Sequence, residues 1–111
     1  MRGYARTHLE LSQSAVLNNL NFIRKNFGRK RIHSSVIKGN AYGHGIEQFV
    51  PLLYKNGVRH FSVFSAQEAY LVHKSLSAHS DFQIMIMGDV AGDAIEWVVA
   101  NKIEVFVFDL Y

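Results

Sequence analysis

Residues 34–45 read Ser34-Ser35-Val36-Ile37-Lys38-Gly39-Asn40-Ala41-Tyr42-Gly43-His44-Gly45: a short run of β-formers ends on a lysine and passes straight into a small-residue turn. An amine held among apolar strand neighbours gives up its proton more readily than one in water, and a neutral amine attacks an aldehyde to form a Schiff base. Tyr42 puts a phosphate-competent hydroxyl on the same loop, and Gly43 and Gly45 let backbone turn closely around a ligand. Taken singly these signals are weak. A strand-end lysine commonly snorkels to solvent, and Gly-His-Gly is ordinary turn chemistry. The combination with Lys38 is what points to a ligand-binding loop.

No other group of residues competes with it. His33, His44, His60 and His73 show no ligand spacing with carboxylates, so no metal site is expected. Asp89 and Asp93 flank a helix start and read as caps, while Trp97 and the methionines fit core spacing. With no cysteine, disulfides, thiolate sites and cysteine nucleophiles are excluded. The charge of +3 lies mostly in Arg24-Lys25 and Arg29-Lys30-Arg31, a pattern that reads as a solvated basic helix end rather than a nucleic-acid surface. No apolar run approaches the roughly 18 residues of a membrane span, and no charged-then-apolar leader opens the sequence, so the expected location is the cytoplasm.

The 111 residues, 49% of them hydrophobic, suit one packed unit. Thr7 to Leu11 alternates and reads as a strand with one buried face. Ser12 is a plausible N-cap for a helix with Val16, Leu17, Leu20, Ile23 and Phe27 at helical spacing, ended by Gly28. Arg31 to Lys38 is the next strand. A helix follows over Ile46 to Asn56, with Pro51 placing its regular start near Val50. His60 to Phe64 is a short strand, and the capping box Ser65-Ala66-Gln67-Glu68 opens a helix from Ala66 to about Leu76. Phe82 to Met87 is nearly continuous apolar sequence, a strand covered on both faces and ended by Gly88-Asp89. A helix with Ala94, Ile95, Trp97, Val98 and Val99 as its apolar surface comes next, with Asn101 as its left-handed cap, and Ile103 to Phe108 is a fourth buried strand. From Arg31 onward the order is therefore strand-helix three times and then a strand, an α/β pattern that predicts parallel pairing. Units of roughly 22 to 25 residues suit a (β/α) barrel, but periodicity leaves an open doubly wound sheet equally available.

The stretch Val36 to Gly45 resembles the cofactor-lysine motif of the alanine racemase family, usually V-[IV]-K-A-N-A-Y-G-H-G, with Gly39 as the one departure. Arg6 to Ser12 is similar to that family's opening strand, Asn18 to Leu20 to its first helix, Phe61 to Glu68 to its second barrel strand and capped helix, and Ile84 to Gly88 to its third barrel strand. The resemblance implies a fold-type III pyridoxal-phosphate enzyme: a (β/α)8 TIM-type barrel followed by a β domain, with residues 1–111 the N-terminal portion, an opening strand and about the first four parallel barrel strands with their helices. It implies an isomerase that interconverts L- and D-alanine and supplies D-alanine for peptidoglycan. Lys38 would be the Schiff-base lysine and one of two acid/base groups, Tyr42 would bind the cofactor phosphate, and Val36 and Met87 would line the cofactor pocket. No metal is implied. The partners implied are a small amino-acid substrate and, for the whole protein, a second copy in a homodimer.

In that family the second base is a tyrosine of the C-terminal domain, the partner of the pyridine nitrogen comes from a later barrel strand, and the arginine near the phenolic oxygen also lies past Tyr111. The chain by itself is therefore expected to be inactive and to self-associate through its open sheet edges. Two other readings stay open: a related racemase or D-amino-acid lyase of the same fold, and a non-catalytic module that binds pyridoxal phosphate.

Overall fold

In the computed structural model, which describes residues 7–109, the first regular element starts where Ser12 places it. Ser12 Oγ accepts the Ala15 amide at 3.2 Å, satisfying a donor that the helix start leaves unpaired, and α1 runs Gln13–Phe27. Gly28, at φ 86°, ends it by donating to the Arg24 carbonyl at 2.9 Å. The Arg24 guanidinium in turn donates to the Asn56 carbonyl at 2.8 Å and fastens the helix to the body. Only one narrow stripe of α1 docks. Leu20 is buried and Val16 packs on the core, whereas Leu17 and Phe27, expected on the same face, are exposed because no described element reaches the flanks of that stripe.

No strand forms over Thr7 to Leu11. A strand needs a neighbour to take its amides and carbonyls, this segment finds none among the described residues, and Leu9 is exposed. The expected opening at Arg6 and the terminal Leu110-Tyr111 lie outside the described residues.

Four strands, β1 (Ser34–Val36), β2 (His60–Val63), β3 (Gln83–Ile86) and β4 (Glu104–Val105), form one parallel sheet in the order β1-β2-β3-β4. Helices α2 (Ile46–Lys55), α3 (Ala66–Ser75) and α4 (Ile95–Ala100), the last preceded by a 3-10 turn over Gly92–Ala94, make the crossovers. A doubly wound sheet reverses its strand order at a switch point, and this sheet does not. Its inner face also joins strands two apart: His60 on β2 reaches Glu104 on β4 at 3.0 Å, across β3, the layering of side chains from alternate strands found inside barrels. The chain is an α/β fold with four strands of a partial TIM-type barrel.

Period-2 alternation divides the sheet into two faces. Ile37, Phe61, Val63, Ile84 and Ile86 face the helices and are fully buried with Val50, Ala69, Val72 and Leu76. Each such large side chain contributes roughly 1.5–3 kcal/mol, and a one-residue register slip would expose the whole set. Register pairs Val36 with Ser62, Ser62 with Met85 and Met85 with Glu104 on the opposite, open face.

Several boundaries depart from expectation. α2 begins at Ile46 rather than near Val50, because Ile46 is itself a buried anchor and its amide donates to Asn40 Oδ1 at 3.0 Å. Pro51 sits inside α2 at the cost of a single bond, the one its absent N–H would have given to Glu47, whose position is exposed. β4 is a two-residue exposed edge and not a buried strand over Ile103 to Phe108. Phe106, Val107 and Phe108 are all exposed, since no described element lies beyond β4. Lys102 (φ 54°), not Asn101 (φ −97°), takes the left-handed conformation after α4. On α4 Val98 is buried and Trp97 packs on the core, but Ile95 and Val99 are exposed. Neither Asp89 nor Asp93 caps the 3-10 turn: its N-cap is Ala91, and Asp89 Oδ1 accepts the Val90 amide. Among the described residues no helix is long and apolar enough to cross a membrane, and no group of His, Asp and Glu could hold a metal ion.

Candidate active site

The ladder of β1 continues through Ile37, whose amide donates to the Ser62 carbonyl at 2.9 Å, and Lys38 is the next residue. Lys38 is exposed at the carboxyl end of the strand, where parallel α/β folds gather their reactive groups. From Lys38 to Tyr42 the chain makes one left-handed helical turn: Gly39 (φ 60°, ψ 43°), Asn40 (54°, 48°), Ala41 (57°, 46°) and Tyr42 (φ 54°). Turn chemistry predicts a glycine-led bend here, and the structure instead puts three consecutive non-glycine residues at positive φ. Such a position costs an L-residue roughly 1–2 kcal/mol, least for Asn.

Specific contacts offset that cost. Within the turn, the Ala41 amide donates to Ile37 O at 2.9 Å and the Gly43 amide to Gly39 O at 3.1 Å. Asn40 closes the far end twice: its carbonyl accepts the Gly45 amide at 2.9 Å, and its Oδ1 accepts the Ile46 amide that opens α2. The Ala41 methyl is buried. At the near end the Gly39 amide donates to Glu68 Oε2 at 3.0 Å. Glu68 belongs to the capping box of α3, of which half forms: Ser65 Oγ accepts the Glu68 amide at 3.3 Å. The carboxylate that would complete the box on the Ser65 amide goes to Gly39.

Tyr42, 64% exposed as a residue, closes the turn that Lys38 opens, one helical turn away. Val36 ends β1 on the open face, and alternation from Met85 carries Met87 onto the same face just past β3. All four residues singled out in the sequence therefore stand at one end of the sheet. Lys38 and Met87 are on opposite sides of β2, about 9–10 Å apart at the usual strand spacing, too far to touch. Phe64, exposed at the end of β2 between them, and Gly88 were not singled out. Gly88 donates to the Phe64 carbonyl at 3.0 Å, and a Cβ on it would stand 2.4 Å from that oxygen, so β2 and β3 close together here only with glycine. A Cβ at Gly39 or Gly43 would meet nothing within 4 Å, so the turn is open on that side, and the Lys38 amine and the Tyr42 hydroxyl, both on exposed residues, are the donor types that suit the aldehyde and the phosphate of pyridoxal phosphate.

Two other polar groups lie elsewhere. Ser34 Oγ hydrogen-bonds with His60 Nδ1 at 2.7 Å and His60 Nε2 with Glu104 Oε2 at 3.0 Å, fastening β1, β2 and β4 from inside at their amino halves. On the outer side Tyr54 donates its hydroxyl to Asp81, and the Arg59 guanidinium stacks 3.8 Å over the Tyr54 ring and donates to Asp81 at 3.2 Å. That hydroxyl bond holds the Asp81 carboxyl below the usual carboxylate range and raises the Tyr54 phenol above 10.0. A cavity of about 400 Å³ lined by Leu20, Arg24, Arg31, Arg59 and Phe82 opens beside this group, at the amino ends of the strands and away from Lys38.

Sheet order, inner-face layering and a lysine-bearing left-handed loop at the mouth of the first strand define a barrel-type α/β protein whose site is built on β1. Residues 11–111 match the family model described as alanine racemase, N-terminal domain, and the chain belongs to that family. It is 31% identical over 105 residues to an alanine racemase of Leptospira interrogans, covering 86% of this chain and 26% of that protein. Among solved structures it is similar to the alanine racemase of Bartonella henselae with covalently bound pyridoxal phosphate (TM-score 0.71, 26% identity, 86% of this chain and 26% of that one). It is also similar to the histidine racemase of Leuconostoc mesenteroides (TM-score 0.72, 28% identity, 84% and 24%). The chain spans about a quarter of the length of the relatives it matches.

Proposed function

We propose that residues 1–111 are the N-terminal portion of a pyridoxal-phosphate barrel in an amino-acid racemase that interconverts L- and D-alanine, supplying D-alanine for peptidoglycan in the cytoplasm. The observation that carries this reading is the placement of Lys38 at the carboxyl end of β1, followed at once by a left-handed turn braced at both ends. The cofactor, when bound, supplies an aldehyde for attachment to an amine and a conjugated ring that spreads negative charge from the amino-acid α-carbon. Lys38 Nζ is the group that attaches to it and that, when free, holds or returns a proton on one face of that carbon. The Tyr42 hydroxyl would donate to the phosphate, and the apolar side chains of Val36 and Met87 would line the pocket.

One base serves one face. The reading therefore requires a second acid/base group on the opposite face, which the resemblance assigns to the second copy of a homodimer. Among the described residues the outer edges of β1 and β4 have no neighbouring strand and Val36, Phe64 and Phe106 are exposed, which favours self-association of the chain, and a monodisperse monomer in light scattering would contradict that. The likeness to a histidine racemase favours a second reading in which the same Lys38 site serves another amino acid.

Titration with pyridoxal phosphate, followed by absorbance of the covalent adduct, tests the proposal. The adduct forms in the chain and disappears in Lys38→Ala. Tyr42→Phe, which loses a hydrogen bond to a charged group, weakens binding about tenfold or more. Equal binding by all three proteins sinks the assignment. Racemisation assays on a full-length protein carrying these residues then separate alanine, another amino acid and no turnover.

A further inference from the structure

We propose that Glu68 is a positioning residue for Lys38, acting through the peptide that joins Lys38 to Gly39. This rests on the reading of Lys38 as the cofactor lysine.

In a left-handed turn, as in any helical turn, the first amides have no partner one turn back. The first internal bond of this turn belongs to Ala41, which leaves the amides of Gly39 and Asn40 at its open end. Glu68 Oε2 accepts the Gly39 amide at 3.0 Å, a charge-assisted bond to the amide directly following Lys38. The carboxylate is itself steadied, since Ser65 Oγ lies 3.3 Å from its other oxygen. Its backbone sits in the first turn of α3, which is anchored by fully buried Ala69 and Val72. Glu68 therefore ties the loop after β1 to the helix after β2, and Asn40 Oδ1 ties the other end of the loop to α2. With both ends held, the direction in which Lys38 leaves the strand is fixed although its side chain is exposed. A carboxylate serving only as a helix cap would face the Ser65 amide, and this one faces Gly39.

The test uses the full chain and two variants, Glu68→Ala and Glu68→Gln. In both, the backbone amide of residue 68 still donates to Ser65 Oγ, so the start of α3 is kept, and melting midpoints within a few degrees of one another verify it. Two quantities are read: amide hydrogen exchange at Gly39, which needs no cofactor, and borohydride-trapped pyridoxal-phosphate adduct at Lys38 relative to the other lysines. Glu68→Ala is expected to speed Gly39 exchange and to reduce the Lys38 adduct, each about tenfold, leaving other lysines unchanged. Glu68→Gln keeps a carbonyl acceptor and restores both to within about threefold. Unchanged exchange and adduct in Glu68→Ala, or a loss in Glu68→Gln equal to that in Glu68→Ala, overturns the proposal. Absence of a Lys38 adduct in the unsubstituted chain overturns the cofactor reading itself, while Gly39 exchange still decides whether Glu68 holds the turn.

Discussion

Gly88→Ala is the substitution whose cost follows most directly from the geometry of the site. A Cβ at residue 88 would lie 2.4 Å from the Phe64 carbonyl oxygen and 3.1 and 3.2 Å from two carbons of its ring. Carbon and carbonyl oxygen ordinarily approach to about 3.3 Å at closest, so the ends of β2 and β3 must part by about 1 Å. The ring can rotate away, but the carbonyl is backbone and cannot. Parting the strands lengthens the 3.0 Å bond from the Gly88 amide to that same oxygen and leaves a buried donor unpaired. An unsatisfied buried amide costs about 1–3 kcal/mol and overpacking a similar amount, for a sum of about 3 kcal/mol. In a domain of this size that is a fall of about 12–24 °C in melting midpoint. Circular dichroism melting of wild type and variant at matched concentration measures it, because association makes the midpoint concentration-dependent. Met87 is the adjacent residue, so binding of pyridoxal phosphate should weaken as well. A midpoint within 3 °C of wild type would refute the close approach of Phe64 and Gly88 as a requirement of the fold.

Gly39→Ala, which restores the residue usual in the family motif, meets no atom within 4 Å and costs only the left-handed backbone penalty, about 1 kcal/mol or 4–8 °C by the same melting assay. A loss as large as that of Gly88→Ala would mean that the turn is sterically closed. The Tyr54–Asp81 pair predicts two pH limbs. Asp81 has a depressed folded pKa, so its contribution is complete above the ordinary carboxylate value and is lost as pH falls through the folded one. Tyr54 has a raised folded pKa, so its contribution is present below pH 10.0 and is lost as pH rises through the raised value. Melting midpoints against pH for Asp81→Asn and Tyr54→Phe should show the corresponding limb flattened, and unchanged profiles would remove the pair from the account.

The sequence made legible those features that local chemistry decides. The Ser12 cap, the stop at Gly28 and the capped start of α3 all arise from residues near one another along the chain, whereas the strand expected over Phe82 to Met87 to be covered on both faces fully buries only Ile84 and Ile86, on its helix side. Periodicity alone did not separate barrel from doubly wound sheet, because that choice depends on strand order and on the contact of His60 with Glu104, 44 residues away; the resemblance carried by Val36 to Gly45 did. The exposed ends of Thr7 to Leu11 and of β4 failed for a related reason: an alternating or apolar pattern shows what a strand would bury, not whether a neighbour is there to pair with it. At the candidate site, Lys38 and Tyr42 were singled out from residue type and motif, and Val36 and Met87 from the family resemblance alone. Glu68 was read only as a cap, since S-x-x-E gives no sign that its carboxylate will turn to a loop 29 residues back. Three successive non-glycine residues in left-handed conformation run against every local preference, and only the bonds from Asn40, Glu68 and the buried Ala41 make them legible afterwards.

Lys38, among all the lysines of the chain, is the one proposed to carry the cofactor. The direct measurement is borohydride trapping at limiting pyridoxal phosphate, followed by peptide mass mapping of every lysine. The reduced adduct is expected on Lys38 ahead of Lys25, Lys30, Lys55, Lys74 and Lys102, and is lost without replacement in Lys38→Ala. An adduct spread evenly over those lysines, or one that persists undiminished in Lys38→Ala, would contradict it.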